Sequence, residues 1–164
     1  MSKVFISHKK SDASLALLVA ARVRQNSLQT YLDTIDDALL KDGPNLADHL
    51  LEKMHGCDQL IAVVSPSTKD SWWVPWVIGV GSEKNFRMAN YSESYVSLPS
   101  YLKKWPELHS ESDIDLYCNL SKSSDQEIAL NLRKVLNENS RAQVSKDGAR
   151  AFHNDLKRRL FRGY

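Results

Sequence analysis

The chain has 164 residues, with 22 Lys plus Arg against 20 Asp plus Glu and a net charge of +2. That length suits one domain with a buried core and is short for two, and so even a charge gives no electrostatic reason to expect nucleic acid or an anionic membrane as partner. Cys57 and Cys118 lack both CxxC spacing and the density of a secreted disulfide scaffold, which points to reduced thiols in a cytoplasmic protein.

Met1 to Ser7 runs directly into His8-Lys9-Lys10, so no signal-peptide core is expected. No apolar run approaches the roughly 18 residues of a membrane span. Val4-Phe5-Ile6 reads as a buried strand ending in the polar stretch Ser7 to Asp12. Leu15, Leu18, Val19, Ala21 and Val23 recur at near-helical spacing, which predicts a helix over 13–24 capped by Ser11 or Asp12. Gln29 to Leu32 is a short β-prone run, followed by an acidic loop from Asp33 to Pro44 long enough to suggest function. Leu46, Leu50, Leu51 and Met54 share one face of a helix that starts at Asn45 and stops at His55-Gly56. Leu60 to Val64 is continuously apolar, the pattern of a strand buried on both faces. Strand, helix, strand, helix, strand at this spacing predicts βαβ units in a parallel sheet, with ligands at the carboxyl ends of the strands.

Farther along, Trp72, Trp73 and Trp76 crowd a segment in which Pro75 suits the first turn of a short helix. Tyr95 to Leu98 reads as a fourth strand and Ile114 to Cys118 as a weak fifth. Helices are predicted over 127–136 and 149–160, joined by a polar loop over 137–148.

Val4-Phe5-Ile6-Ser7-His8, then Tyr31-Leu32-Asp33 with the loop through Gly43, then Ile61-Ala62-Val63-Val64-Ser65-Pro66-Ser67-Thr68 continuing through Ser71-Trp72-Trp73-Val74-Pro75-Trp76 together resemble the Toll/interleukin receptor (TIR) domain. The likeness is to bacterial members of the Thoeris antiphage type. It is dense over 3–86, with 87–164 expected to supply the remaining strands and helices of one domain spanning 1–164. The resemblance implies a flavodoxin-like α/β fold: a mostly parallel, five-stranded sheet with helices on both faces. It further implies an NADase, a hydrolase-type enzyme that cleaves NAD to nicotinamide and an ADP-ribose-derived signalling nucleotide for innate immunity and antiviral defence. NAD is then substrate, with no cofactor and no metal. The partners implied are other copies, through TIR–TIR contacts, and a downstream effector that senses the product; neither nucleic acid nor membrane is expected.

In enzymatic members a glutamate in the helix after the tryptophan segment contacts the reacting ribose, where a carboxylate can stabilise oxocarbenium-like charge. The family's Trp-Val-Pro-aromatic-Glu-Ile-Gly pattern sets Val77 at that position, facing a nucleotide-sized cleft. Valine carries no charge and accepts no hydrogen bond, so impaired catalysis is expected of this chain. Glu83 would project from another face of the helix. Ser7, His8, Lys9 and Lys10 are candidate contacts to a dinucleotide's phosphates, against the reading of a solvated loop. Trp72 or Trp73 is a candidate to stack on a flat ring, with Trp76 in the core. Asp36, Asp37, Lys41, Asp42 and Gly43 form the expected assembly loop.

Other readings are weaker. Asp33, Asp36 and Asp37 have no EF-hand spacing and read as a solvated acidic loop rather than a metal site. Cys57 beside His55 lacks any oxyanion-hole motif and reads as a small buried hydrophobe. Gly79-Val80-Gly81 lacks the third glycine of a dinucleotide fingerprint. Lys157-Arg158-Arg159 with Arg162 suits the charged face of a terminal helix. Two functional classes stay open, an NAD-cleaving enzyme and a TIR–TIR interaction module without chemistry. A nucleoside deoxyribosyltransferase is a third, which would need a carboxylate nucleophile.

Overall fold

The computed structural model describes residues 2–32 and 43–162. Five strands, β1 (Lys3–Ser7), β2 (Gln29–Leu32), β3 (Gln59–Val63), β4 (Arg87–Tyr91) and β5 (Glu107–Leu108), form one sheet in the order β2-β1-β3-β4-β5. Every pairing is parallel. The order 2-1-3-4-5 is that of the flavodoxin-like fold. The helices are α1 (Ala13–Gln25), α2 (Leu46–His55), α3 (Trp73–Glu83), α4 (Glu111–Arg133) and α5 (Glu138–Arg162).

Strand alternation separates two apolar layers. Val4 and Ile6 of β1 and Ile61 and Val63 of β3 pack with α1, α4 and α5, whereas Phe5, Leu60 and Ala62 pack with α2 and α3. β3 is buried along its whole length because helices cover both faces, which is why its sequence is an unbroken apolar run. Burying each such side chain contributes about 1.5–3 kcal/mol. A bidentate ion pair, Arg22 Nε and Nη2 to Asp115 at 2.8 and 2.6 Å, ties α1 to α4. The hydrogen bonds from Arg22, then from Asn26, hold the Asp115 carboxyl below its ordinary pKa.

The second half of the chain corrects three expectations. The fourth strand is Arg87–Tyr91 rather than Tyr95 to Leu98. Its arginine and asparagine hide the apolar pattern, and both are buried with partners: Arg87 donates to Ser121 O at 2.8 Å and pairs with Asp58 and Asp125, and Asn90 Nδ2 donates to Leu102 O at 2.8 Å. Tyr95 is exposed, and Leu98, with the partly buried Val96, anchors that loop. Ile114 to Cys118 is helical, not a strand. Ser110 caps α4 by accepting from Asp113 N at 3.2 Å, Glu111 and Asp113 sit in its first turn, and Ile114, Tyr117, Cys118 and Ser121 are buried at helical spacing. The expected loop over 137–148 is the first half of α5, capped by Asn137 Oδ1 on Ser140 N at 2.7 Å. It carries no apolar stripe because most of it faces solvent.

The two-residue β5 leaves the Met88 N–H of β4 without a strand partner, since Asn90 N and Ser92 N already donate to Pro106 O and Leu108 O. His153 Nε2 of α5 accepts that N–H at 2.8 Å. A side chain thus completes the ladder that the short edge strand cannot. No helix among the described residues is long and apolar enough to cross a membrane.

Candidate functional site

β1 lies between β2 and β3, and the chain leaves β1 and β3 toward opposite sides of the sheet. The carboxyl ends of these strands therefore flank the topological switch point, where this architecture opens a crevice. Serines and one lysine fasten the two loops there. Ser11 Oγ and Ser67 Oγ lie 3.0 Å apart, Lys9 Nζ donates to Ser67 O at 3.3 Å, and Ser65 Oγ donates to Asp12 Oδ2 at 2.9 Å. Locally the sequence builds this with a capping box. Ser65 Oγ accepts from Ser67 N at 3.2 Å, Thr68 Oγ1 accepts from Ser65 N at 2.9 Å, and Pro66 opens the 3-10 turn Pro66–Asp70. The reading of the sequence missed Ser11, Asp12, Ser65 and Ser67 as a unit. The Ser-Pro-Ser-Thr run held the available signal, a turn initiator with its own cap.

Ser7, the last residue of β1, is fully buried and its Oγ has no hydrogen-bond partner. It lies on the Phe5 face of the strand, toward the layer built by α2 and α3. His8 is buried behind it, Lys9 is half-buried, and Lys10 is exposed in the turn Lys10–Asp12. The four residues predicted from sequence thus cluster at the carboxyl end of β1, with Lys9 reaching across to the β3 loop.

The tryptophans divide. Trp72 is 90% exposed at the start of α3. Trp73 and Trp76 pack edge to face, centroids 5.4 Å apart, against the apolar layer. Trp76 is therefore a core-facing residue, and Trp72 carries the free aromatic surface. Position 77 corrects the expected geometry: Val77 is 0% exposed, in one apolar cluster with Phe5, Leu50, Ala62, Val74 and Ile78. Its side chain faces the interior and does not open onto a cleft. Glu83 is exposed at the far end of α3. Asp33, Asp36, Asp37, Lys41 and Asp42 lie outside the described residues, and Gly43 begins the turn Gly43–Asn45 that leads into α2. Burial pushes the Cys57 thiol up to about 11 and the Cys118 thiol up to about 12, so neither is a thiolate at neutral pH.

Comparison with known proteins gives three findings. A probable 3' cyclic ADP-D-ribose synthase, ThsB', of Bacillus cereus (strain MSX-D12) is 30% identical over 79 residues, covering 46% of this chain. The matched stretch is 41% of that relative, so this chain matches about two fifths of its length. A solved structure, a diflavin flavoprotein A3 from Nostoc sp., superposes with a TM-score of 0.46 at 11% identity, covering 99% of this chain and 98% of that one. The family model described as TIR domain matches residues 4–136, most of the chain. With that match lying over the β2-β1-β3-β4-β5 sheet, the chain belongs to the TIR domain family.

Proposed function

We propose that this domain binds an NAD-type dinucleotide at the β1–β3 switch point and serves bacterial antiphage signalling. The observation that carries the reading is the buried, unpartnered Ser7 Oγ at the end of β1, beside Lys9 and Lys10 and the serine staple. Lys9 and Lys10 supply cationic donors for a pyrophosphate, and Ser7 and His8 lie buried beneath them. Trp72 offers an exposed face for a ring to stack on. The likeness to a cyclic ADP-ribose synthase supports NAD as the ligand class. Cleavage of the nicotinamide N-glycosidic bond develops positive charge on the ribose, which a carboxylate at the site would stabilise.

The second reading is a TIR–TIR assembly module without chemistry, in cytoplasmic signalling to a downstream effector. Val77 favours it, because an aliphatic core side chain at that position keeps the fold and removes the charge. Isothermal titration with NAD, run beside an assay of nicotinamide release, separates the two. The natural chain is expected to bind NAD and release nicotinamide slowly or not at all, and the Lys9→Ala/Lys10→Ala double variant to bind at least tenfold more weakly with its melting temperature nearly unchanged. Absence of NAD binding by the natural chain, or binding indifferent to both lysines, removes the dinucleotide reading. Val77→Glu completes the set: it buries a carboxylate in an apolar layer and is expected to destabilise by several kcal/mol. Turnover gained by this variant while folded would assign position 77 to the reacting centre.

A further inference from the structure

At the opposite, amino-terminal end of the sheet, a groove of about 330 Å³ opens between β4, the 3-10 turn Ser100–Lys104 and α5. Lys104, Lys146 and Arg150 line it, and no carboxylate does. Lys146 and Arg150 stand one helical turn apart, so their like charges repel. No carboxylate pairs with either among the described residues. Elsewhere on α5, Arg158 and Arg159 pair with Asp155, while Arg141 and Lys157 donate to backbone carbonyls. Of the three acids of α5, Glu138 sits in its first turn, and Asp147 and Asp155 line a different groove, the one against α4. Lys146 and Arg150 thus line the cavity with no carboxylate of α5 lining it beside them.

The wall opposite α5 is held in place. Lys157 Nζ donates to Lys103 O at 2.9 Å and Lys104 O at 2.6 Å, which clamps the end of the 3-10 turn against α5. Lys104 Nζ lies 5.3 Å from the centroid of the Trp105 ring. His153 also lines the groove. Its Nε2 accepts the Met88 N–H, so the neutral ring must carry its proton on Nδ1 and has only a donor left to offer. Ser82, Asn85 and Asn154 add polar groups at the rim, while the buried side chains of Phe86, Met88 and Trp105 form an apolar floor.

We propose that this groove binds a small organic anion with two or more negative charges, of the nucleoside diphosphate class. The three cations and the imidazole donor take the phosphates, and the floor takes the flat apolar part. The volume falls in the range of small-molecule sites. The site is separate from the β1–β3 switch point and does not depend on the function proposed there.

The test is isothermal titration of the full chain at low salt with adenosine 5′-diphosphate, inorganic pyrophosphate and adenosine. The diphosphate is expected to bind, pyrophosphate to bind more weakly, and adenosine not to bind. Lys146→Glu/Arg150→Glu is expected to weaken the diphosphate at least tenfold; both side chains are exposed, and circular dichroism checks that the fold is kept. Because Lys9 and Lys10 would also accept a diphosphate, the charge reversal is made in the Lys9→Ala/Lys10→Ala background, where the diphosphate is still expected to bind before the reversal. Binding undiminished by the charge reversal in that background, or no diphosphate binding there at all, overturns the site. Equal affinity for pyrophosphate and the diphosphate overturns the role of the apolar floor.

Discussion

His153 shows how a single side chain can carry both structure and pH sensitivity. Burial, with Lys157, Lys104 and Arg87 nearby, pushes its pKa down from 6.5 to about 4, and in the neutral form its Nε2 satisfies the edge of β4. Between those two pH values the unfolded chain binds the extra proton, so stability rises with pH. The contribution is complete above the unfolded value and is lost as pH falls toward the folded one, on the order of 3 kcal/mol across the window. His153→Gln keeps an acceptor for the Met88 N–H and cannot titrate. Urea unfolding from pH 7 to pH 4.5 should therefore show a flatter decline in this variant than in the natural chain, and parallel declines would assign the sensitivity to another group. Val77 is informative in a different way. Its burial was not readable from residue order, because a motif gives neighbours along the chain and not the direction of a side chain.

Among the elements, α5 departs most from what the sequence suggests. Only its second half has an apolar stripe, Phe152, Leu156 and Leu160, yet the helix starts at Glu138 and packs along α4. The two helices approach closely at Gly148, where an added Cβ would lie 2.6 Å from Ile128 Cγ1 and 2.7 Å from Cδ1. Gly148→Val forces a branched side chain into that contact and is expected to cost about 1–3 kcal/mol despite removing a flexible helical glycine. Chemical denaturation measures it; a stabilised variant would show that the helices can separate without cost. β4 and the segment from Tyr95 to Leu98 give the converse lesson. Apolar β-prone residues lie in a loop, and a strand contains Arg87 and Asn90, because partners across the fold satisfy those polar groups.

For the molecule as a whole, Arg87 joins parts of the chain that are distant in sequence. Only 3% exposed, it bonds Ser121 O and Asp125 of α4 and Asp58 before β3, while Ser121 Oγ donates to Gln59 Oε1 at 2.6 Å. Arg87→Ala leaves these groups without their cation, and because Asp58 and Asp125 are partly solvated a loss of about 1–3 kcal/mol is expected from thermal or urea unfolding; a change under about 0.5 kcal/mol, the size of a surface substitution, would mean that water replaces the guanidinium freely. The residues of β1, β3 and α2, and the family they belong to, were legible in the sequence because apolar runs and periodic faces reflect burial by neighbouring elements of a repeated βαβ plan. The clustering of Ser7, His8, Lys9 and Lys10 at one strand end was legible for the same reason, since strand direction alone puts them there. Tertiary structure alone decided that β4 is polar in sequence and buried in space, that Ser11, Asp12, Ser65 and Ser67 meet, and that Val77 turns inward. Each of these depends on contacts between residues far apart in the chain, and local patterning holds no record of such contacts.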